Sequence, residues 1–335
     1  MKKKAKKAKK AETTIPAAPV AVAAPPDVKA ARVLERSVCL TLSCHYLGNE
    51  RKVKVDDLTR LAGGTEHLDD EAFRATKKLV AQRELTPVMR VFGGAKADLR
   101  ALAIAAHRVF GERSYLVPVA SVRQAHERLA ARRAELLTEA AALAARYVQA
   151  VDRQRELLGP EMFRAADYRT PAEVAAAFSL DWYWVSFQAP DRLETVDEAL
   201  YHEAEQRHER RLASAYDEVV VGLRETARDV FRELAERLGP GKDGQPRVLR
   251  GTALDDLRDF AARLPALNSV AQDGALEAAV RRVVARAEGL DVGELRDDES
   301  LRASLRAAAA AAATVLDGLV TAGRRAISFG DLTAA

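Results

Sequence analysis

The chain has 335 residues, 48% hydrophobic but only 5% aromatic, which is enough apolar material for a real core divided over roughly two or three units. Its net charge is +4, yet Lys2, Lys3, Lys4, Lys6, Lys7, Lys9 and Lys10 supply much of the positive charge, so the remainder is net acidic and the pI near 9.0 reports a tail and not a basic domain. No run of about eighteen apolar residues is free of charge, so no transmembrane helix and no membrane partner is expected; the Ala-rich stretch Ala307 to Val315 is too short to span a bilayer.

Residues 1–31 read as a disordered Lys/Ala/Pro-rich arm, with Ile15-Pro16-Ala17-Ala18-Pro19 and Ala23-Ala24-Pro25-Pro26 following the lysines. Glu12-Thr13-Thr14 and the prolines interrupt the apolar segment that a signal peptide needs, so the arm is expected to be cytoplasmic. Two readings of it stand side by side. One is loose binding of nucleic acid or another anionic surface by counterion release; the other is a solubilising extension.

Residues 32–120 predict a small mixed α+β head. Ser37 to Ser43 alternates apolar and polar with period two, a strand signature, and Arg51 to Val55 offers a short returning partner after the turn at Gly48-Asn49-Glu50. Cys39 and Cys44 fall on opposite faces of that strand, too far apart for a disulfide, and suit buried thiols in a reducing compartment. Helical spacing is expected over 69–85, an extended piece over 87–94 ending in a turn, a helix over 98–110 stopped by Gly111, and an extended piece over 114–119. The Gly93-Gly94 pair lacks the Lys-Ser/Thr and the spacing of a phosphate loop.

From Val122 the pattern changes. Val122, Leu129, Leu136, Leu143, Ala150 and Leu157 recur every seven residues, beside a second row of Leu137, Ala144, Val151 and Leu158, which is the coiled-coil signal. Arg133 and Gln154 in the seam argue against a parallel dimer and for a partner within the chain. Gly159-Pro160 stops this helix, and Thr170-Pro171-Ala172-Glu173 opens a short one with capping-box spacing. A second long helix runs over 193–238 with apolar steps of three and four. The pair predicts a long antiparallel hairpin over 121–239 with its tip near 160–192. A linker loop (240–250) and a C-terminal helical bundle (251–335), broken near Pro265, Gly274 and Gly289, complete a mainly α fold.

Few residues point to chemistry. Trp182, Tyr183, Trp184 and Phe187 cluster at the expected tip and read either as a docking surface or as a small core that lets the chain reverse. His202, Glu203, Glu205, Arg207, His208 and Glu209 lack the i, i+4 histidine pair of a helical zinc site and read as a solvated charged face. Arg281, Arg282, Arg286, Arg324 and Arg325 lie among acidic residues with no interleaved aromatics to stack bases. No nucleophile triad, HExxH, Walker lysine or dinucleotide glycine pattern is present, so neither enzyme activity nor a cofactor or metal is expected.

The order of elements resembles a known family. Val38-Cys39-Leu40-Thr41-Leu42 precedes Leu47-Gly48-Asn49-Glu50-Arg51-Lys52-Val53; Phe92-Gly93-Gly94 and Tyr115-Leu116-Val117-Pro118 follow, then the long helix, Tyr168, Phe178 and Val185-Ser186-Phe187. Over residues 34–240 this is similar to an uncharacterised helical family of bacteria and phages, a domain of unknown function. Its members are often encoded near MoxR-type AAA+ ATPases and von Willebrand A-domain proteins, a layout similar to that of the cobaltochelatase small subunits. The resemblance implies a partner relation and carries over no catalytic residues. The expected function is a non-enzymatic adaptor or scaffold of such an AAA+ system. The alternative is a nucleic-acid-associated, phage or self-assembling coiled-coil structural protein.

Overall fold

The computed structural model describes residues 25–54, 75–186, 191–240, 247, 249, 250 and 252–333. The mainly α class holds, with a small antiparallel sheet towards the N-terminus and a C-terminal helical region. Helix α1 (Pro26–Arg36) opens with proline in its first turn, where the missing N–H costs nothing, and leads into strand β1 (Ser37–His45). The strands β2 (Glu50–Lys52) and β3 (Thr76–Lys78) form a separate two-stranded ribbon, so 51–55 does not return along β1 as expected. Most of the helix expected over 69–85 lies outside the described residues; 76–78 is strand.

The main sheet is antiparallel, in the order β4-β5-β1-β6, where β4 is Ile104–Ala105, β5 is Ser114–Pro118 and β6 is Ser179–Val185. Both faces of β1 are used. Leu40, Leu42 and Cys44, with Tyr115, Val117 and Leu180, face a core shared with α2 (Gln82–Leu102) and α4 (Val122–Met162). Cys39, Leu116 and Ile104 face a second core built by α1 and the C-terminal helices. The two free cysteines are therefore buried on opposite faces, as the period-two pattern requires. Burial pushes the Cys39 thiol up to about 11 and raises that of Cys44.

Helix α2 differs from the sequence expectation. Residues 87–94 are helical despite Pro87, Gly93 and Gly94, and the helix ends at Leu102, before β4 and the short α3 (His107–Phe110). The reason is tertiary. Leu85, Val88, Phe92, Ala95, Leu99 and Leu102 make one buried stripe, and burying each large apolar side chain gains about 1.5–3 kcal/mol, more together than the ~3 kcal/mol of an interior proline and the ~1 kcal/mol of each glycine. Gly94 also permits a close crossing. A Cβ there would stand 2.8 Å from the guanidinium carbon of Arg132, whose Nε donates to the Asp98 carboxylate at 2.8 Å.

Both long helices lie close to where the sequence puts them: α4 starts at Val122 and kinks at the left-handed Gly159 (φ 66°), and α7 runs Glu198–Leu238 after the short α6 (Asp191–Val196). They are not each other's packing partner, which corrects the antiparallel hairpin. The row Leu129, Leu136, Leu143 and Ala150 of α4 packs on α2, while Leu157, one heptad on, is 78% exposed. Helix α7 packs on α1 and on α11 (Glu299–Thr333), and also touches α8 (Asp255–Ala271). The C-terminal region is completed by α9 (Gly274–Ala287) and α10 (Val292–Asp297). Buried Arg302 closes the end of α7 by donating to the Leu238 carbonyl at 2.9 Å, and Arg224 meets the α9 N-cap Asp273 at 2.6 Å. Among the described residues one helical stretch, Glu299–Arg325, is long and apolar enough to cross a membrane by length and composition; 33% of its most apolar window is buried, and the helix packs on α7 and α9.

Candidate functional site

The aromatic segment is not the tip of a hairpin. It is a strand at the open edge of the sheet. The chain arrives through α5 (Pro171–Ala176), whose capping box forms as its sequence predicts: Thr170 Oγ1 accepts from the Glu173 N–H at 3.3 Å, and the Glu173 carboxylate accepts from the Thr170 N–H at 2.8 Å. Those bonds hold the Glu173 carboxyl below its ordinary range. Val174 and Phe178, both buried, tie the turn to the core, and β6 follows.

β6 pairs with β1 along its whole length, with Leu180 opposite Cys44, Trp182 opposite Leu42, Tyr183 opposite Thr41, Trp184 opposite Leu40 and Val185 opposite Cys39. The His45 ring and the Ser179 hydroxyl, 3.0 Å apart, close the far end. Alternation then sorts the side chains. Leu180 is buried and Trp182 half-buried on the α4 side, where the Trp182 ring meets His126 edge-on at 5.4 Å. Beside it, Asp181 faces Arg133 of α4 at 3.6 Å.

Towards the end of the strand the cover stops. Trp184 is 38% exposed although it shares a face with Trp182, Tyr183 on the opposite face is 58% exposed, and Val185 is 39% exposed. The two readings of the cluster thus divide between its members: Trp182 belongs to the core, while Tyr183 and Trp184 are presented. Phe187 and the seven arm lysines lie outside the described residues. Val185 is a presented residue that the sequence reading passed over; it shares a face with Tyr183.

The two edges of the sheet are unlike. At one, β4 has only two residues and packs against α7. At the other, β6 has seven residues, and among the described residues no strand pairs with its outer side. Asp181 is the single charged residue in Ser179–Val185, and the strand has no proline or lysine to blunt the edge. This arrangement can accept an extended chain by backbone hydrogen bonds, with aromatic side chains on both faces to grip it.

The other candidates are structural. His202 stands exposed between Glu198 and Glu205, and Arg207 pairs with Glu203, so this face of α7 is a solvated charged surface. Arg281 pairs with Glu277, Arg286 bonds Ser304 and Arg324 pairs with Glu225, which leaves those arginines engaged within the fold. Among the described residues no group of three or more His, Cys, Asp or Glu side chains is placed to hold a metal ion.

No curated protein and no solved structure matches the chain. The model of a family described as "protein of unknown function (DUF3150)" matches residues 34–283, from the end of α1 into α9. With that match over well more than half its length, the chain belongs to the DUF3150 family.

Proposed function

We propose that this protein is a non-enzymatic adaptor or scaffold that receives an extended segment of a protein partner along the outer edge of β6. The observation that supports the reading is the unpaired seven-residue edge with Tyr183, Trp184 and Val185 exposed along it. Main-chain hydrogen bonds would supply affinity, and the aromatic side chains, frequent anchors at interfaces, would select the segment. The partner we assign is a MoxR-type AAA+ ATPase acting with a von Willebrand A-domain protein, the class that the family resemblance implies.

The test is affinity capture from host lysate with and without ATP, using the native chain and a Tyr183→Ala/Trp184→Ala variant. Nucleotide-dependent recovery of an AAA+ ATPase, reduced at least tenfold in the variant with helicity unchanged by circular dichroism, is the expected result. Undiminished capture by the variant would remove the edge as the dock. Recovery of copies of the chain alone would favour self-assembly, and recovery of nucleic acid that disappears with added salt would favour the lysine arm.

A further inference from the structure

We infer that the β2–β3 ribbon and the end of α4 enclose a binding site for a phosphate-sized oxyanion. The ribbon is fixed to α4: Gln154 donates to the Lys78 carbonyl at 2.9 Å, and Lys77 reaches across to the helix terminus. The Lys77 side chain is only 6% exposed. Its ammonium donates to the Met162 carbonyl and meets the Asp167 carboxylate, each at 2.6 Å. An ammonium carries three N–H donors, so one has no acceptor among the described residues. A buried donor left in that state is costly, and structures rarely tolerate one without water or a ligand.

Lys77 lines a cavity of about 100 Å³ together with Lys52, Val53, Lys54, Arg164 and Asp167. One water occupies about 30 Å³ in the liquid, so the space admits a polyatomic ion. The charge of its wall selects the sign: among the described residues Lys52, Lys54 and Lys77 stand against the one carboxylate of Asp167, while Arg164 is engaged in an interaction of its own. Asp167 offsets one of the three lysine charges, and a dianion matches the other two. Charge-assisted hydrogen bonds from lysine and arginine are the standard means of holding phosphate oxygens. The ligand class is therefore phosphate, either as the free ion or as the terminal group of a monoester.

Titration calorimetry of the full-length protein with inorganic phosphate, and separately with phenyl phosphate, tests this. Saturable one-to-one binding is expected. It should weaken at least tenfold in Lys52→Glu/Lys54→Glu, whose side chains are exposed and whose exchange leaves the melting temperature in place. Lys77→Met should abolish it; where that variant unfolds, the double variant decides. A chain with the lysines of residues 1–10 changed to glutamine should bind as before. Binding of both probes identifies a monoester site, and binding of phosphate alone a free-ion site. No saturable binding of either probe, loss of binding with the arm lysines, or an unchanged affinity in the double variant overturns the inference.

Discussion

Trp182 and Trp184 stand two residues apart on one face of one strand, and their environments differ by how far α4 reaches along it. Trp182 meets His126 of that helix, whereas Trp184 lies past its cover. Trp182→Ala should therefore cost roughly 2–3 kcal/mol, somewhat below a fully buried tryptophan, while Trp184→Ala should cost under about 1 kcal/mol. Urea midpoints of the two variants check this, and equal losses would place both rings in the core. Cys39 gives a second prediction at this scale. Its folded-state pKa, about 11, lies above the ordinary 9.0. The folded state therefore holds the proton more tightly, and stability present below pH 9 is lost as pH rises towards 11, by an amount on the order of 2 kcal/mol. Comparing native protein with Cys39→Ala at pH 7 and pH 10.5 isolates that share. A pH dependence identical in both would show that the thiol contributes nothing.

Among the elements, α2 shows what the sequence discloses and what it hides. Its stripe from Leu85 to Leu102 was present in the residues, but Pro87 and Gly93-Gly94 suggested a break, and only the packing of α4 decides against it. The two glycines now separate. Gly93 has nothing within 4 Å of an added Cβ, so Gly93→Ala should stabilise by about 0.5–1 kcal/mol through helix propensity. Gly94→Ala gains the same propensity but displaces Arg132 from Asp98, so its net effect should fall near zero. Thermal melts of the two variants make the comparison, and equal gains would mean that the Arg132 contact is worthless. The capping box at Thr170, the start of α4 and the opposed cysteines were legible because each depends on neighbours in sequence. The heptad row of α4 showed that the helix has a partner. It could not show which, since α2 and α7 both present apolar stripes of matching period. The edge position of β6 was equally hidden, because strand order is set by crossovers and not by the strand's own residues.

At the scale of the molecule, β1 and β5 are a common wall. Leu40 and Val117 belong to the core with α2 and α4, and the neighbouring Cys39 and Leu116 belong to the core with the C-terminal helices. Neither core can lose its sheet wall while the other keeps it. Heating should give one calorimetric transition, and Leu116→Ala should shift the whole of it downwards, by the equivalent of about 3 kcal/mol; two transitions, one of them unmoved, would mean that the cores melt independently.

The unlike edges of the sheet also fix a valence. A sheet open on both sides grows without limit, since each strand added leaves a new edge of the same kind on the molecule it came with. Here the β4 side is two residues long and backed by α7, so among the described residues strand addition to the four-stranded sheet is confined to the β6 side. Two copies meeting edge to edge through β6 would use up both open edges and end there, as a closed pair. By addition of a strand to this sheet the molecule would terminate a chain and not extend one.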